Sequence, residues 1–137
     1  MAVSIGYIDH VAVTARDLKQ ASEFYCRVLE ARVVHDFIVE GELLAQQFRI
    51  DGAMLNIHQA GHKHPLVAAK PTPGAVDLCF RWTAPIATAV DHLNTHGVEI
   101  IEGPCPRFGS DGKEGMSVYF RDPDGNLLEF LSTVETI

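Results

Sequence analysis

No stretch of this 137-residue chain runs apolar for 18 residues, so no membrane-spanning helix is encoded. The opening MAVSIGYIDH has no basic cluster ahead of an apolar core. A secretory signal is therefore not expected, and a cytoplasmic location is. Cysteine is scarce: Cys26, Cys79 and Cys105 make an odd number with no CxxC spacing. That argues against a disulfide framework and a zinc ribbon and fits reduced thiols. Positive charge is short as well. Eleven Lys plus Arg against eighteen Asp plus Glu leave a net charge of −7. Neither nucleic acid nor an anionic membrane suits such a chain as its main partner. Hydrophobic residues reach 47% and charged ones stop at 21%, which excludes a disordered chain. One domain able to bury its own core is expected.

What is present is periodic. Residues 5–14 alternate as a short strand, and Asp17 offers an N-cap for a following helix. Leu18, Ala21, Phe24, Tyr25, Val28 and Leu29 then recur at helical spacing. Strands are predicted over 31–39, 43–50 and 53–59, with Gly41 and Gly52 at the turns. Residues 60–74 hold three Pro and two Gly and read as a linker. Then the order repeats. A strand over 75–82 leads to a helix capped by Thr83, with Pro85 in its first turn and Gly97 at its end. A short strand over 98–103, a loop over 103–115, and strands over 116–121 and 126–133 complete the chain. RDPDGN (121–126) forms the last turn.

The two halves match by residue: IDHVAV resembles VDLCF, and GAMLNI resembles GNLLEF. A duplicated βαβββ unit follows, with module one over 5–59 and module two over 75–134 of a single domain 1–137. His10 then stands opposite Asp77, and Asn56 opposite Glu129. Each helix must cover one face of its sheet. Alternation puts Val11, Val13, Leu55, Ile57, Val76, Leu78, Phe80, Val118, Phe120, Leu128 and Phe130 under the helices. His10, Asn56, His58, Asp77, Arg81, Ser117, Tyr119 and Glu129 fall on the uncovered face. Leaving such groups without partners costs about 1–3 kcal/mol each, so water, one another, a ligand or a metal must satisfy them.

YIDHVAV, LKQASEFYCRVLEA and the ending SVYFRDPDGNLLEFLS resemble the vicinal-oxygen-chelate superfamily of glyoxalases, bleomycin-binding proteins and extradiol dioxygenases. NIHQAGHKHPLVAAKPTPGAVDLCF and GPCPRFGSDGKEGMSVYFRDPDGNLLEF are similar to glyoxalase-domain-containing protein 5 and its bacterial virulence-protein relatives. The resemblance implies an α+β fold in which paired βαβββ modules form a cup-shaped mixed sheet around a divalent metal. It also implies a homodimer. The family's ligand positions map onto His10, Asn56, Asp77 and Glu129. Asp77 stands where many members have His, and Asn56 where some have Glu or Gln.

His10, Asp77 and Glu129 are taken as metal ligands, and Asn56, a weak neutral donor, as a substrate contact. One imidazole with two carboxylates suits Ni, Zn, Mn or Co better than Fe. Glu129 and His58 are the candidate proton carriers; Arg81, Ser117, Tyr119 and Asn56 are candidate substrate contacts. Bland alternatives stand beside these. Asp77 can pair with Arg81 two residues along the same face, His10 and Glu129 can form a buried pair, and His62 and His64 read as solvated. Cys79 has no base at a spacing that would mark it as a nucleophile. The function expected is a metal-dependent lyase or isomerase acting on a small oxygen-rich metabolite. The alternatives are an extradiol-type dioxygenase and a non-catalytic protein that sequesters a small molecule.

Overall fold

The computed structural model describes residues 3–135, whose elements follow one order twice. In the first half β1 (Val11–Ala15) leads to α1 (Leu18–Val28), then β2 (Arg32–Val39), β3 (Glu42–Ile50) and β4 (Ala53–Gln59). In the second, β5 (Asp77–Arg81) leads to α2 (Ile86–Thr95), then β6 (Glu102–Phe108), β7 (Glu114–Arg121) and β8 (Leu127–Ser132). The chain divides into two compact units, Met1–Thr72 and Pro73–Ile137. Each is an α+β unit with one mixed four-stranded sheet, ordered β1-β4-β3-β2 in the first and β5-β8-β7-β6 in the second. No helix among the described residues is long and apolar enough to cross a membrane.

In the first unit the Asp17 carboxylate accepts from the main-chain N–H of Lys19 at 3.0 Å and of Gln20 at 3.4 Å. Those are amides that a helix start leaves unpaired. The Gln59 side chain ties this cap to the end of β4, accepting from Leu18 N at 2.9 Å and donating to Arg16 O at 2.8 Å. The apolar stripe of α1 is buried through Leu18, Ala21, Phe24, Tyr25 and Val28. Beneath it Val13, Ala15, Leu55, Ile57 and Phe48 complete the core.

In the second unit α2 buries Ala89 and Leu93 against a sheet face made of Val118, Phe120, Leu128 and Phe130. The RDPDGN turn is held from inside. Asp122 Oδ1 accepts from Asp124 N at 2.9 Å and Asn126 N at 3.0 Å. Asn126 is 1% exposed; its Nδ2 donates to Asp122 Oδ2 at 2.7 Å, and its Oδ1 accepts from Val76 N at 3.0 Å. One side chain thus joins the turn to the approach of β5.

Three sequence expectations shift. The first strand starts at Val11 rather than residue 5, because β4 begins only two residues before Leu55, the partner of Val11. Residues before Asp9 have no strand to pair with in this unit's sheet. The second helix is capped at Pro85, not Thr83, and no side chain bonds its first amides. The strand predicted over 98–103 lies instead at Glu102–Phe108, inside the predicted loop. Pro104 and Pro106 argue against a strand there by lacking N–H donors, but β6 is an edge, where such gaps are tolerated. Its pairing breaks between Glu102 and Cys105, around Gly103 at φ +100°. A Cβ on Gly103 would run into the Ser117 carbonyl.

Candidate functional site

The duplication is visible in strand register. β1 and β4 run parallel with Ala12 beside Asn56, and β5 and β8 run parallel with Cys79 beside Glu129. Asn56 and Glu129 are therefore equivalent positions, each on a last strand whose flanking residues are buried beneath the helix. Leu55 and Ile57 are 2% and 0% exposed, Leu128 and Phe130 0% and 4%. The period-two side-chain alternation puts Asn56, His58 and Glu129 on the other face, half-buried.

In the first unit that face carries an acceptor without a donor: Asn56 Oδ1 is buried and has no hydrogen-bond partner. His10 lies one residue ahead of β1, with Nδ1 at 2.8 Å from Asp9 Oδ1. Giving Nδ1–H to that carboxylate leaves Nε2 with its lone pair. His58 is flanked in register by Thr14 and Ala45. Its pKa is lowered, first by loss of solvent and then by His62, His64 and His10. A cavity of about 290 Å³ joins Asn56, His58 and His62 to the apolar walls Phe37, Leu44 and Leu66. His62 is the residue sequence reasoning left in solvent; here its Nε2 is 3.0 Å from His58 Nδ1. The short His58-x3-His62 spacing, just past a strand end, was the available signal.

In the second unit Glu129 is flanked in register by Cys79 and Tyr119. Loss of solvent, then the Glu129 carboxylate, pushes the Cys79 thiol up to about 12. The Tyr119 hydroxyl is raised as well, again chiefly by loss of solvent. Arg107 Nε donates to Tyr119 Oη at 2.9 Å, which raises the Arg107 pKa, and the guanidinium lies 5.5 Å from the Tyr119 ring centroid. Arg107 was missed because its strand was read as loop. Arg81 reaches Asp111 Oδ2 at 3.5 Å and Thr133 Oγ1 at 3.4 Å, rather than Asp77. Asp111 is held below its ordinary value, first by the Lys113 amide at 3.0 Å and then by Arg81. Asp77 is exposed at the start of β5. Ser117 is fully buried with its Oγ unpartnered. A cavity of about 460 Å³ is lined by Cys79, Arg81, Phe108, Ser110, Glu129 and Leu131.

The ligands expected from sequence divide between the units, His10 in the first and Asp77 with Glu129 in the second. Among the described residues no three His, Cys, Asp or Glu side chains are grouped to hold a metal ion. As donors they nevertheless suit one. His10 offers a carboxylate-backed imidazole, and two carboxylates with one imidazole match a first-row divalent ion.

The chain is similar to the virulence protein STM3117 of Salmonella typhimurium, 40% identical over 126 residues, covering 91% of this chain and 83% of that one. It is 34% identical over 130 residues to the glyoxalase domain-containing protein RDO1 of Mycosarcoma maydis, covering 95% of this chain and 70% of the other. Among solved structures, an integron cassette protein from the mobile metagenome of V. cholerae aligns with a TM-score of 0.86 and 32% identity. That alignment covers 97% of this chain and 99% of that one. With residues 7–130 matching that family in sequence, the chain belongs to the Glyoxalase/Bleomycin resistance protein/Dioxygenase superfamily.

Proposed function

We propose that this protein is a divalent-metal-dependent lyase or isomerase acting on a small oxygen-rich metabolite, with His10, Asp77 and Glu129 holding the ion. The observation that carries the reading is the His10 imidazole, whose Nδ1 is taken by Asp9 at 2.8 Å. An imidazole backed in this way is oriented and made a better donor at its other nitrogen. Once bound, the ion would supply Lewis-acid polarisation of a substrate oxygen. The chain's own residues do the rest. Glu129 is flanked in register by Cys79 and Tyr119, whose raised pKa values keep them protonated, and it serves as the base that carries a substrate proton. Asn56 Oδ1, buried without a donor, accepts from a substrate hydroxyl. Arg81, loosely paired at 3.5 Å, shares the second-unit cavity with Glu129 and can meet a substrate anion.

The first-unit cavity favours a second reading, sequestration of a small molecule without turnover. Its apolar walls with a few convergent polar groups are the usual make-up of a ligand pocket. Metal analysis of protein purified without chelators separates the two. Near-stoichiometric Mn, Ni, Co or Zn is expected, and its loss in both His10→Ala and Glu129→Ala while circular dichroism stays unchanged. A folded protein that neither carries nor takes up these ions would overturn the enzyme reading and leave sequestration.

A further inference from the structure

His62 and His64 flank Lys63 just after β4. His62 is half-buried and its ring stacks on His58, centroids 5.2 Å apart. Its Nε2 is 3.0 Å from His58 Nδ1, and two main-chain amides decide which nitrogen donates. His64 N donates to His62 Nδ1 at 3.1 Å, and Leu66 N donates to His64 Nδ1 at 3.2 Å. A ring nitrogen that accepts from an amide carries no proton. His62 therefore holds its proton on Nε2 and donates it to His58 Nδ1. His58, accepting there, holds its own on Nε2. One tautomer follows for all three rings.

These bonds tie the segment to the open face of the first sheet. His58 and Leu66 line both the 290 Å³ cavity and a second one of about 360 Å³ that extends toward Ala12, Thr14 and Pro71. We propose that residues 60–66 are a strap latched through His62 onto His58, and that the latch holds His58 as an Nε2–H donor beside these cavities. His62 is then a positioning residue. The groups acting on His58 are all bases: His62 and His64 from the strap, and His10 ahead of β1. Its register neighbours Thr14 and Ala45 carry no charge, and Lys63 adds another cation within the strap. With solvent loss acting in the same direction, His58 stays a neutral acceptor while the latch is closed. The strap depends neither on a metal nor on the proposed reaction.

The test uses the full chain, with nitrogen–proton correlation of the imidazoles and amide hydrogen exchange. With the latch closed, all three rings should show an unprotonated Nδ1. The His64 and Leu66 amides, which donate to ring nitrogens, should exchange about tenfold or more slowly than their intrinsic rates. His62→Ala should mix the His58 tautomers and remove the His64 protection, while the β4 amides keep theirs. A proton on His58 Nδ1 in the unaltered chain, exchange of the His64 and Leu66 amides at their intrinsic rates, or a His58 tautomer unchanged in His62→Ala would each overturn the latch.

Discussion

At the scale of single residues, the open faces are populated as alternation requires. Asn56, His58 and Glu129 were legible because a strand residue's face follows from its parity with buried neighbours. Their partners were not. Asp77 and Arg81 sit four apart on one face of one strand and look like a pair, but the guanidinium goes instead to Asp111 and Thr133. Cys79 shows the same limit. No neighbour in sequence marks it as unreactive, yet loss of solvent and then the Glu129 carboxylate across from it raise the thiol to about 12. A group raised in the folded state contributes stability below its ordinary value near 9.0, and that contribution is lost as pH climbs toward 12. At about pH 8, Cys79 should be alkylated about a hundredfold or more slowly than a free thiol, as followed by site-resolved mass spectrometry. Glu129→Gln, by removing the carboxylate charge, should speed the reaction. Alkylation at the free-thiol rate would contradict the assignment.

Elements were the most legible scale where hydrophobic period and end signals coincided. Asp17 caps α1 as its side-chain chemistry predicts, and the buried stripe is the one read from spacing. Legibility failed at β6, where two prolines and a glycine imitate a loop. An edge position and the β7 partner override that local signal, because the ladder needs N–H donors on one side only. The RDPDGN turn, by contrast, does more than its turn chemistry announces. Asn126 gives its side-chain amide to Asp122 and accepts from Val76 N with its carbonyl, and both Asn126 and Asp122 are buried. Asn126→Ala would strand these partners and should cost about 2–4 kcal/mol in urea unfolding, against about 1 kcal/mol for Asp17→Ala at a solvated cap. Equal, small losses at the two sites would show that the buried bonds contribute no more than the exposed ones.

On the scale of the whole molecule, apolar surface is left over. Val3, Ile5, Tyr7 and Ile8 are each about 80% exposed. Every residue of β2 is exposed, Val33, Val34, Phe37, Ile38 and Val39 among them. Chains that leave so much apolar surface uncovered generally bury it against another surface. The proposed homodimer meets that need. Light scattering should report about twice the 15.0 kDa of one chain, and Phe37→Asp with Ile38→Asp should shift it toward the single-chain mass. A wild-type species at the single-chain mass across concentrations would exclude the dimer.

The sequence by itself determined the duplicated element order, the helix stripe and the faces of most strand residues. These depend on periods of 3.6 and 2 and on end signals within a few residues of each other. Only the tertiary structure decided that Glu129 lies between Cys79 and Tyr119, that Arg107 reaches Tyr119, and that His62 turns back onto His58. Those contacts join a strand to another strand or to a turn, and no local period encodes the path by which a chain comes back to itself.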